Sequence, residues 1–355
     1  MDNNTLTLEQ FIKDWNSLDP HLLVHTSGST GKPKALLVEK TRMEASARMT
    51  CEVLKLDSAD TALLCLPLDY IAGKMVVVRS LLAGMKIISV PPSSHPLKGL
   101  SVPPSFAAMV PQQVYCSMQS EQELTLLKGI KNLIIGGGAI DKNMAAALKG
   151  FPNAVWSTYG MTETLSHIAL RRLSGEEASD YYTPLNNVEV SLSGNGCLCI
   201  YAPKVCSERL VTNDIAKFKD GSNRQFRILG RIDNIIDSGG MKIQIEEVED
   251  RLGDFLDFDF AITKQHDEIY GEVVVMLLAR ESFLNSLWNG ETVSALSEKE
   301  LPNCISALKE KIKNKLPRYW SPKHFYLCDE IPHTETGKIA RKEASDLVST
   351  LSPLV

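Results

Sequence analysis

The sequence predicts an α/β protein. It is expected to hold a large N-terminal domain of mainly parallel sheets covered by helices, with a small β-rich part, and a small α+β C-terminal domain. Three observations carry this. From about residue 20 to 200, short apolar runs alternate with stretches at helical spacing, the pattern of strands joined through helices. After about residue 180, short alternating runs flank turn residues. Beyond Gly230-Arg231-Ile232-Asp233-Asn234 the chain carries a further set of strands and helices. The expected domains are therefore 1–232 and 233–355.

Each element has a local reason. His21 to Val24 and Ala35 to Val38 are apolar runs on either side of a glycine-rich loop. Met43, Ala47, Cys51 and Leu54 repeat at helical spacing. Thr61 to Leu66 and Lys86 to Val90 read as strands around a helix over 72–83, which Gly84 closes. Phe106 to Val110, Asn132 to Ile135 and Ala154 to Ser157 read as further strands, and Asp141 is a good N-cap for a helix ending at Gly150. Val188 to Leu192 and Cys197 to Tyr201 alternate around Ser193-Gly194-Asn195-Gly196, a hairpin signature. Val248 to Leu252, Glu272 to Leu278 and Ile305 to Leu316 supply the C-terminal elements.

Composition narrows the function classes. Hydrophobic residues make up 44% and charged residues 23% of 355 residues, as in ordinary globular proteins. The net charge of −5 offers no basic footprint for nucleic acid. The 8 cysteines are scattered without zinc-site spacing, so reduced thiols are expected. No apolar run is long enough to span a membrane and the N-terminus has no signal-peptide core, so the expectation is a cytoplasmic protein acting on small molecules.

His25-Thr26-Ser27-Gly28-Ser29-Thr30-Gly31-Lys32-Pro33-Lys34 is rich in hydroxyls and glycines, with cations at its end. Small residues let a backbone approach phosphate closely, and hydroxyls and N–H groups bind its oxygens. It is not the common nucleotide loop, because Gly28 and Gly31 are too close and Pro33 removes a backbone donor. Alone, it also reads as a Ser/Gly surface turn.

Three further motifs follow in order: Tyr159-Gly160-Met161-Thr162-Glu163; Gly230-Arg231-Ile232-Asp233-Asn234 with Ser238-Gly239-Gly240-Met241-Lys242-Ile243 and, after three residues, Glu247-Val248-Glu249; and Pro332-His333-Thr334 leading to Thr336-Gly337-Lys338 and Arg341. Together they resemble the acyl-adenylate-forming superfamily of acyl- and aryl-CoA synthetases, adenylation domains and luciferase-like enzymes, over residues 20–345. The resemblance implies ATP, Mg2+ and CoA as partners in two steps, adenylation of a carboxylate and then thioester formation.

The resemblance also implies roles. Thr26, Ser27, Gly28, Ser29, Thr30, Gly31 and Lys34 would grip the β- and γ-phosphates. Thr162 would bind the α-phosphate and Glu163 the magnesium; by themselves they also read as a helix start. Gly137, Gly138 and Ala139, with Tyr159 and Gly160, would line the adenine, although a strand-end glycine turn looks the same. Asp214 and Arg231 would hold the ribose, with Asn213 replacing the usual glycine. Asp233 would be the hinge, Gly239 and Gly240 would let the CoA arm pass, and Lys338 would be catalytic, where a lone turn lysine is ordinarily solvated.

Ile71 to Gly84, with Ser238 to Ile243 and Glu163 to His167, resembles the o-succinylbenzoate–CoA ligase branch of that superfamily. Such an acid has a second carboxylate, which calls for a cation or donor. Lys74 and Arg79 are the candidates, with Ser166 and His167 as polar contacts; the other reading is two solvated helix cations. Asp69-Tyr70 stands where relatives carry an aromatic residue and histidine. Alternatives are another acyl- or aryl-CoA synthetase, or an adenylation enzyme loading a carrier protein. Only 24 residues precede His25, so a reduced N-terminal subdomain is expected, with a second copy in a homodimer as one source of the missing wall.

Overall fold

The computed structural model describes residues 6–25, 35–138, 140, 142–287, 301–317, 319–334 and 339–354. The chain divides into two compact units. The first is residues 1–193 with 198–212 and 218–227; the second is 194–197, 213–217 and 228–355.

The first unit opens with α1 (Leu8–Trp15) and the antiparallel pair β1 (His21–His25) and β2 (Ala35–Glu39), in which His25 faces Ala35. Helix α2 (Lys40–Leu54) follows. Then come β3 (Thr61–Leu64), α3 (Ile71–Ala83), β4 (Lys86–Ser89), β5 (Phe106–Met109), α4 (Pro111–Met118), α5 (Glu121–Gly129) and β6 (Asn132–Ile135). Helix α6 (Lys142–Lys149), β7 (Ala154–Gly160), β8 (His167–Arg172) and β9 (Thr183–Pro184) complete its main sheet. Asp141, expected to cap α6, lies outside the described residues.

That sheet has seven strands in the order β4-β3-β5-β6-β7-β8-β9. Strands β3 to β7 pair in parallel, while β8 and β9 are added antiparallel. All four residues of β5 and of β6 are buried. Strands of a parallel sheet covered on both faces are buried throughout, and Asn132 is the one polar residue in these two.

Helix α3 positions the site. Gly73 to Ser80 are buried without interruption, so the helix has no solvent face over two turns. Gly84, at φ +72°, closes it by donating its N–H to Ser80 O. Gly73 packs its backbone on the loop that follows β3: a Cβ there would sit 2.3 Å from Pro67 O. The apolar side chains Met75, Val76, Val77 and Val78 are fully buried, and each contributes roughly 1.5–3 kcal/mol.

A four-stranded sheet takes β10 (Glu189–Leu192), β11 (Cys197–Tyr201), β12 (Leu210–Phe218) and β13 (Phe226–Arg231) in sequence order. The expected hairpin is present, with Leu192 opposite Leu198. The second unit then runs through β14 (Ile235–Ser238), β15 (Met241–Gln244), α7 (Ile245–Gly253), β16 (Phe260–Asp267), β17 (Gly271–Ala279), α8 (Arg280–Leu287), α9 (Leu301–Lys313), β18 (His324–Cys328) and α10 (Arg341–Thr350). Its sheet centres on β17, which pairs with β14, β16 and β18. Val274, Met276 and Leu278 join a core with α7 and α9, while Val273, Val275 and Leu277 join one with α10. Side chains alternate across a strand, so both faces of β17 must be apolar.

None of the 8 cysteines forms a disulfide. Among the described residues no helix is long and apolar enough to cross a membrane.

Two of the sequence motifs meet in this unit. Arg341, at the start of α10, donates from both terminal nitrogens to Glu249 on α7, each at 2.6 Å. Glu249 also accepts from Ile262 N–H at 2.8 Å, and Arg341 donates to Ile262 O at 3.1 Å. Burial opposes the Arg341 charge, but these bonds to Glu249 win and raise its pKa above the ordinary value. Replacing Glu249 by Ala should lower stability by about 2 kcal/mol in urea denaturation, less than for a fully buried pair because both groups keep some solvent contact. The double variant with Arg341→Met should recover part of that loss.

Candidate active site

Strand β7 ends in a turn that folds back on it. Thr162–Thr164 form a single 3-10 turn, so Thr162 and Glu163 do not start an α-helix. Leu165 follows at φ 65°, ψ −35°, although it is 4% exposed. Ser166 N–H donates to Thr164 O at 2.7 Å. A bond spanning two residues around a positive φ is the strained form of γ-turn, and such a residue costs roughly 1–3 kcal/mol. The fully buried Thr164 holds it in place. Its Oγ1 accepts from Met161 N–H at 3.1 Å and lies 3.0 and 2.8 Å from the carbonyls of Met161 and Ser166. The fold-back needs Gly160, where a Cβ would sit 2.4 Å from Ser166 O. As a result Glu163 is exposed, Thr162 is half-buried, and His167 is buried.

Arg79 on α3 reaches this turn. It is 2% exposed and donates from Nη2 to Ser166 Oγ at 2.5 Å. Among the described residues its Nε has no hydrogen-bond partner, and no carboxylate pairs with it. Burial lowers its pKa to about 10, with only a weak opposing pull from Cys51, so it remains a cation at neutral pH. Ser166 Oγ lies 3.4 Å from His167 Nδ1, and His167 Nε2 lies 3.1 Å from Thr50 Oγ1. Burial, and then the Arg79 charge, hold His167 well below its usual pKa and keep it neutral.

Lys74 goes elsewhere. It is 3% exposed, and its ammonium donates to the carbonyls of Leu68 and Asp69. The solvated-cation reading of Lys74 and Arg79 is therefore wrong for both: α3 has no open face in this stretch. Of the four acid-facing candidates, the structure brings Arg79, Ser166 and His167 together and ties Lys74 to the loop before its own helix.

The adenine-facing candidates lie at the ends of β6 and β7. Gly136 abuts Thr158, where a Cβ would meet Oγ1 at 2.3 Å, and Gly137 takes φ +80°; Gly138 follows. Tyr159 packs against Phe226 edge-on at 5.5 Å and against Tyr182 at 5.7 Å. Tyr182 meets the Ser157 hydroxyl at 2.8 Å, and the Arg171 guanidinium lies over its ring at 5.3 Å. Tyr182, Phe226 and Thr50 were not singled out from the sequence. Only Thr50 left a signal: it falls on the buried face of α2 with Met43, Ser46 and Leu54.

In the second unit, Arg231 Nη1 lies 3.5 Å from Asp214 and Nη2 lies 2.8 Å from Asp233. Asn213 donates to Asp233 at 3.0 Å, so this departure from the family pattern adds a hydrogen bond. Gly239 and Gly240 form the β14–β15 turn at φ +59° and +82°. Thr26, Ser27, Gly28, Ser29, Thr30, Gly31 and Lys34, with Ala139 and Lys338, lie outside the described residues. The strands and helices flanking them are described. Around Lys338 these include a bridge from His333 to Ile339 and a bond from Ala340 N–H to Pro332 O at 2.8 Å.

Magnesium prefers hard oxygen and keeps several waters, so one free carboxylate is a suitable protein ligand. Glu163 fits, being exposed and without an ion pair to any described residue. No described cluster of three His, Cys, Asp or Glu residues competes for a metal.

The neutral His167 has a pH consequence. Below about pH 6.5 an unfolded histidine takes up a proton, while buried His167 does not until its lowered pKa is reached. The unfolded state then binds more protons, so this residue's contribution is complete above that pH and shrinks as pH falls, by up to about 1.4 kcal/mol per pH unit. His167→Gln should flatten the fall in stability between about pH 6.5 and 5 by close to one proton. Urea denaturation at several pH values reads this directly. Thr164→Val, which removes the hydroxyl bracing Leu165, should cost about 2 kcal/mol at all pH values.

Comparison with known proteins identifies the family and the fold. A 2-succinylbenzoate–CoA ligase of Enterococcus faecalis is 27% identical, over 90% of this chain and 68% of its own. A crystal structure of an acyl-CoA synthetase (AMP-forming)/AMP-acid ligase II-like protein from Dyadobacter fermentans superposes with TM-score 0.61 at 29% identity, covering 94% of this chain and 91% of that one. The o-succinylbenzoate CoA synthetase of Bacillus subtilis in complex with its acyl-adenylate shares the fold, with TM-score 0.69 at 21% identity over 90% of this chain and 68% of its own. Residues 5–197, more than half of the sequence, match the family described as AMP-binding enzyme. The chain belongs to the AMP-binding enzyme family of AMP-forming acid–thiol ligases.

Proposed function

We propose that this protein is an ATP-dependent acid–CoA ligase whose acid is 2-succinylbenzoate, yielding 2-succinylbenzoyl-CoA, AMP and pyrophosphate in menaquinone biosynthesis. The observation that carries the reading is Arg79: buried, charged, and without a described carboxylate partner, beside Ser166. A buried cation left unpaired is costly, and an acid with a second carboxylate would complete it. The curated relatives named 2-succinylbenzoate–CoA ligase support the same choice.

In the first step, a carboxylate oxygen of the acid bonds to the α-phosphorus of ATP, and the bond to pyrophosphate breaks. In the second, the CoA sulfur bonds to the acyl carbon, AMP leaves with the bonding electrons, and the thiol proton is lost. Negative charge concentrates in both steps, so fixed donors and cations must face it. In this proposal the 26–34 loop holds the departing phosphates, Thr162 the α-phosphate, and Lys338 the reacting oxygens. Tyr159, Gly137, Gly138 and Ala139 seat the adenine, and Asp214 with Arg231 the ribose. Glu163 would hold magnesium, which neutralises phosphate charge when bound. Asp233 is the hinge about which residues 233–355 reorient between the steps, and Gly239 and Gly240 flank the pantetheine arm.

A second reading has its own support. A malonate–CoA ligase of Arabidopsis thaliana is 24% identical over 92% of this chain and 60% of its own. Malonate also carries two carboxylates.

Products formed from ATP, Mg2+, CoA and each of 2-succinylbenzoate, 4-oxo-4-phenylbutyrate, malonate, benzoate and octanoate should be identified by mass spectrometry. A thioester from 2-succinylbenzoate and none from 4-oxo-4-phenylbutyrate is expected. Equal turnover of those two would remove the role of Arg79. Arg79→Met should raise KM for 2-succinylbenzoate at least ~10-fold with little change in KM for ATP. Lys338→Ala should abolish adenylate formation and spare thioester formation from preformed acyl-AMP; equal loss in both would sink the two-orientation scheme.

A further inference from the structure

The hydrogens around Arg79 can be assigned one by one. Thr50 has a single hydroxyl hydrogen, and its Oγ1 lies 3.2 Å from Ser46 O, where it donates within helix α2. Toward His167 Nε2, at 3.1 Å, Thr50 can then only accept. The imidazole hydrogen therefore sits on Nε2, and Nδ1 is a bare acceptor. Nδ1 faces Ser166 Oγ at 3.4 Å, so the Ser166 hydrogen is directed to it. With that hydrogen committed, Ser166 Oγ accepts from Arg79 Nη2 at 2.5 Å. The other tautomer would require Thr50 to abandon Ser46 to serve Nε2, with Ser166 Oγ accepting from both Nδ1–H and Arg79 and its own hydrogen left without a place in the chain.

We propose that Thr50 is a positioning residue for the acid: by fixing the tautomer of His167 it commits the Ser166 hydrogen and holds the Arg79 guanidinium, with Nε–H unpaired, for the acid's second carboxylate. The inference rests on the reading of Arg79 as the carboxylate site. It assigns Ser166 to accept from Arg79 rather than donate to the acid, and it draws in a helix whose residues carry none of the family motifs. Thr50 is 0% exposed and Ser46 2% exposed, so water does not interrupt the chain at that end.

Thr50→Val keeps the shape and removes the hydroxyl; Thr50→Ser restores it. Two readouts are needed on the full-length protein. The first is the 15N shifts of the His167 ring in the unliganded protein, assigned among 7 histidines by the signals lost in His167→Gln. Wild type and Thr50→Ser should show a single Nε2–H tautomer, and Thr50→Val a mixture. The second is steady-state kinetics with the acid identified by product analysis. Thr50→Val should raise KM for that acid ~5-fold, with kcat and KM for ATP within about twofold, and Thr50→Ser should rescue it. An unchanged tautomer in Thr50→Val, or a changed tautomer with unchanged KM, overturns the proposal. If Arg79→Met raises the acid KM and Thr50→Val does not, the inference fails alone. If neither does, the carboxylate reading of Arg79 fails and takes the inference with it.

Discussion

The buried charge of Arg79, which no described carboxylate neutralises, is the constraint around which this part of the first unit is arranged. Arg79 lies in the most enclosed part of α3, where removing a cation from water is expensive. Among the described residues it is given a serine hydroxyl, and its Nε is left unpaired. Everything near it is arranged around that charge. His167 is kept neutral, the γ-turn at Leu165 carries Ser166 into reach, and Gly160 lets the turn close. A carboxylate built into the protein in its place would satisfy Arg79 permanently and leave nothing to recognise.

The strain at Leu165 and the charge at Arg79 belong to one local economy of order. A non-glycine residue at positive φ persists only where its surroundings over-determine it. Here Thr164 supplies the restraint through contacts to Met161 and Ser166. The turn grades its groups within a few residues: Glu163 is exposed, Thr162 and Ser166 are half-buried, and His167 is buried. The second unit has its own anchor, the Glu249–Arg341 pair, which joins two stretches that sequence comparison treats as separate motifs.

Much of the fold was legible in the sequence. The strands of the parallel sheet announce themselves as unbroken apolar runs, and α3 is bounded by Tyr70 and Gly84 as its pattern and cap require. The hairpin around Gly194 and Gly196 follows from turn chemistry alone. What escaped has physical reasons. Helical spacing says nothing about exposure when a helix is enclosed on all sides, so Lys74 and Arg79 could not be told from surface cations. Strand β8 begins two residues after a positive-φ leucine, a conformation that residue type does not advertise. Thr50 and Ser46, four apart on α2, look like an ordinary hydroxyl bonding back to its own helix. Only the approach of a histidine 117 positions away in sequence gives Thr50 another meaning.

Gly160 shows how two demands can share one residue. It stands in the stretch read as nucleotide-binding, yet a Cβ there would lie 2.5 Å from His167 Cα and closer still to Ser166 O. Alanine is therefore excluded by backbone collision before any ligand arrives. In a saturation mutagenesis survey this position would score as essential whether selection acted on catalysis or only on accumulation of folded protein. Invariance at such a glycine measures the closeness of two chain segments, and it carries no information about the nucleotide.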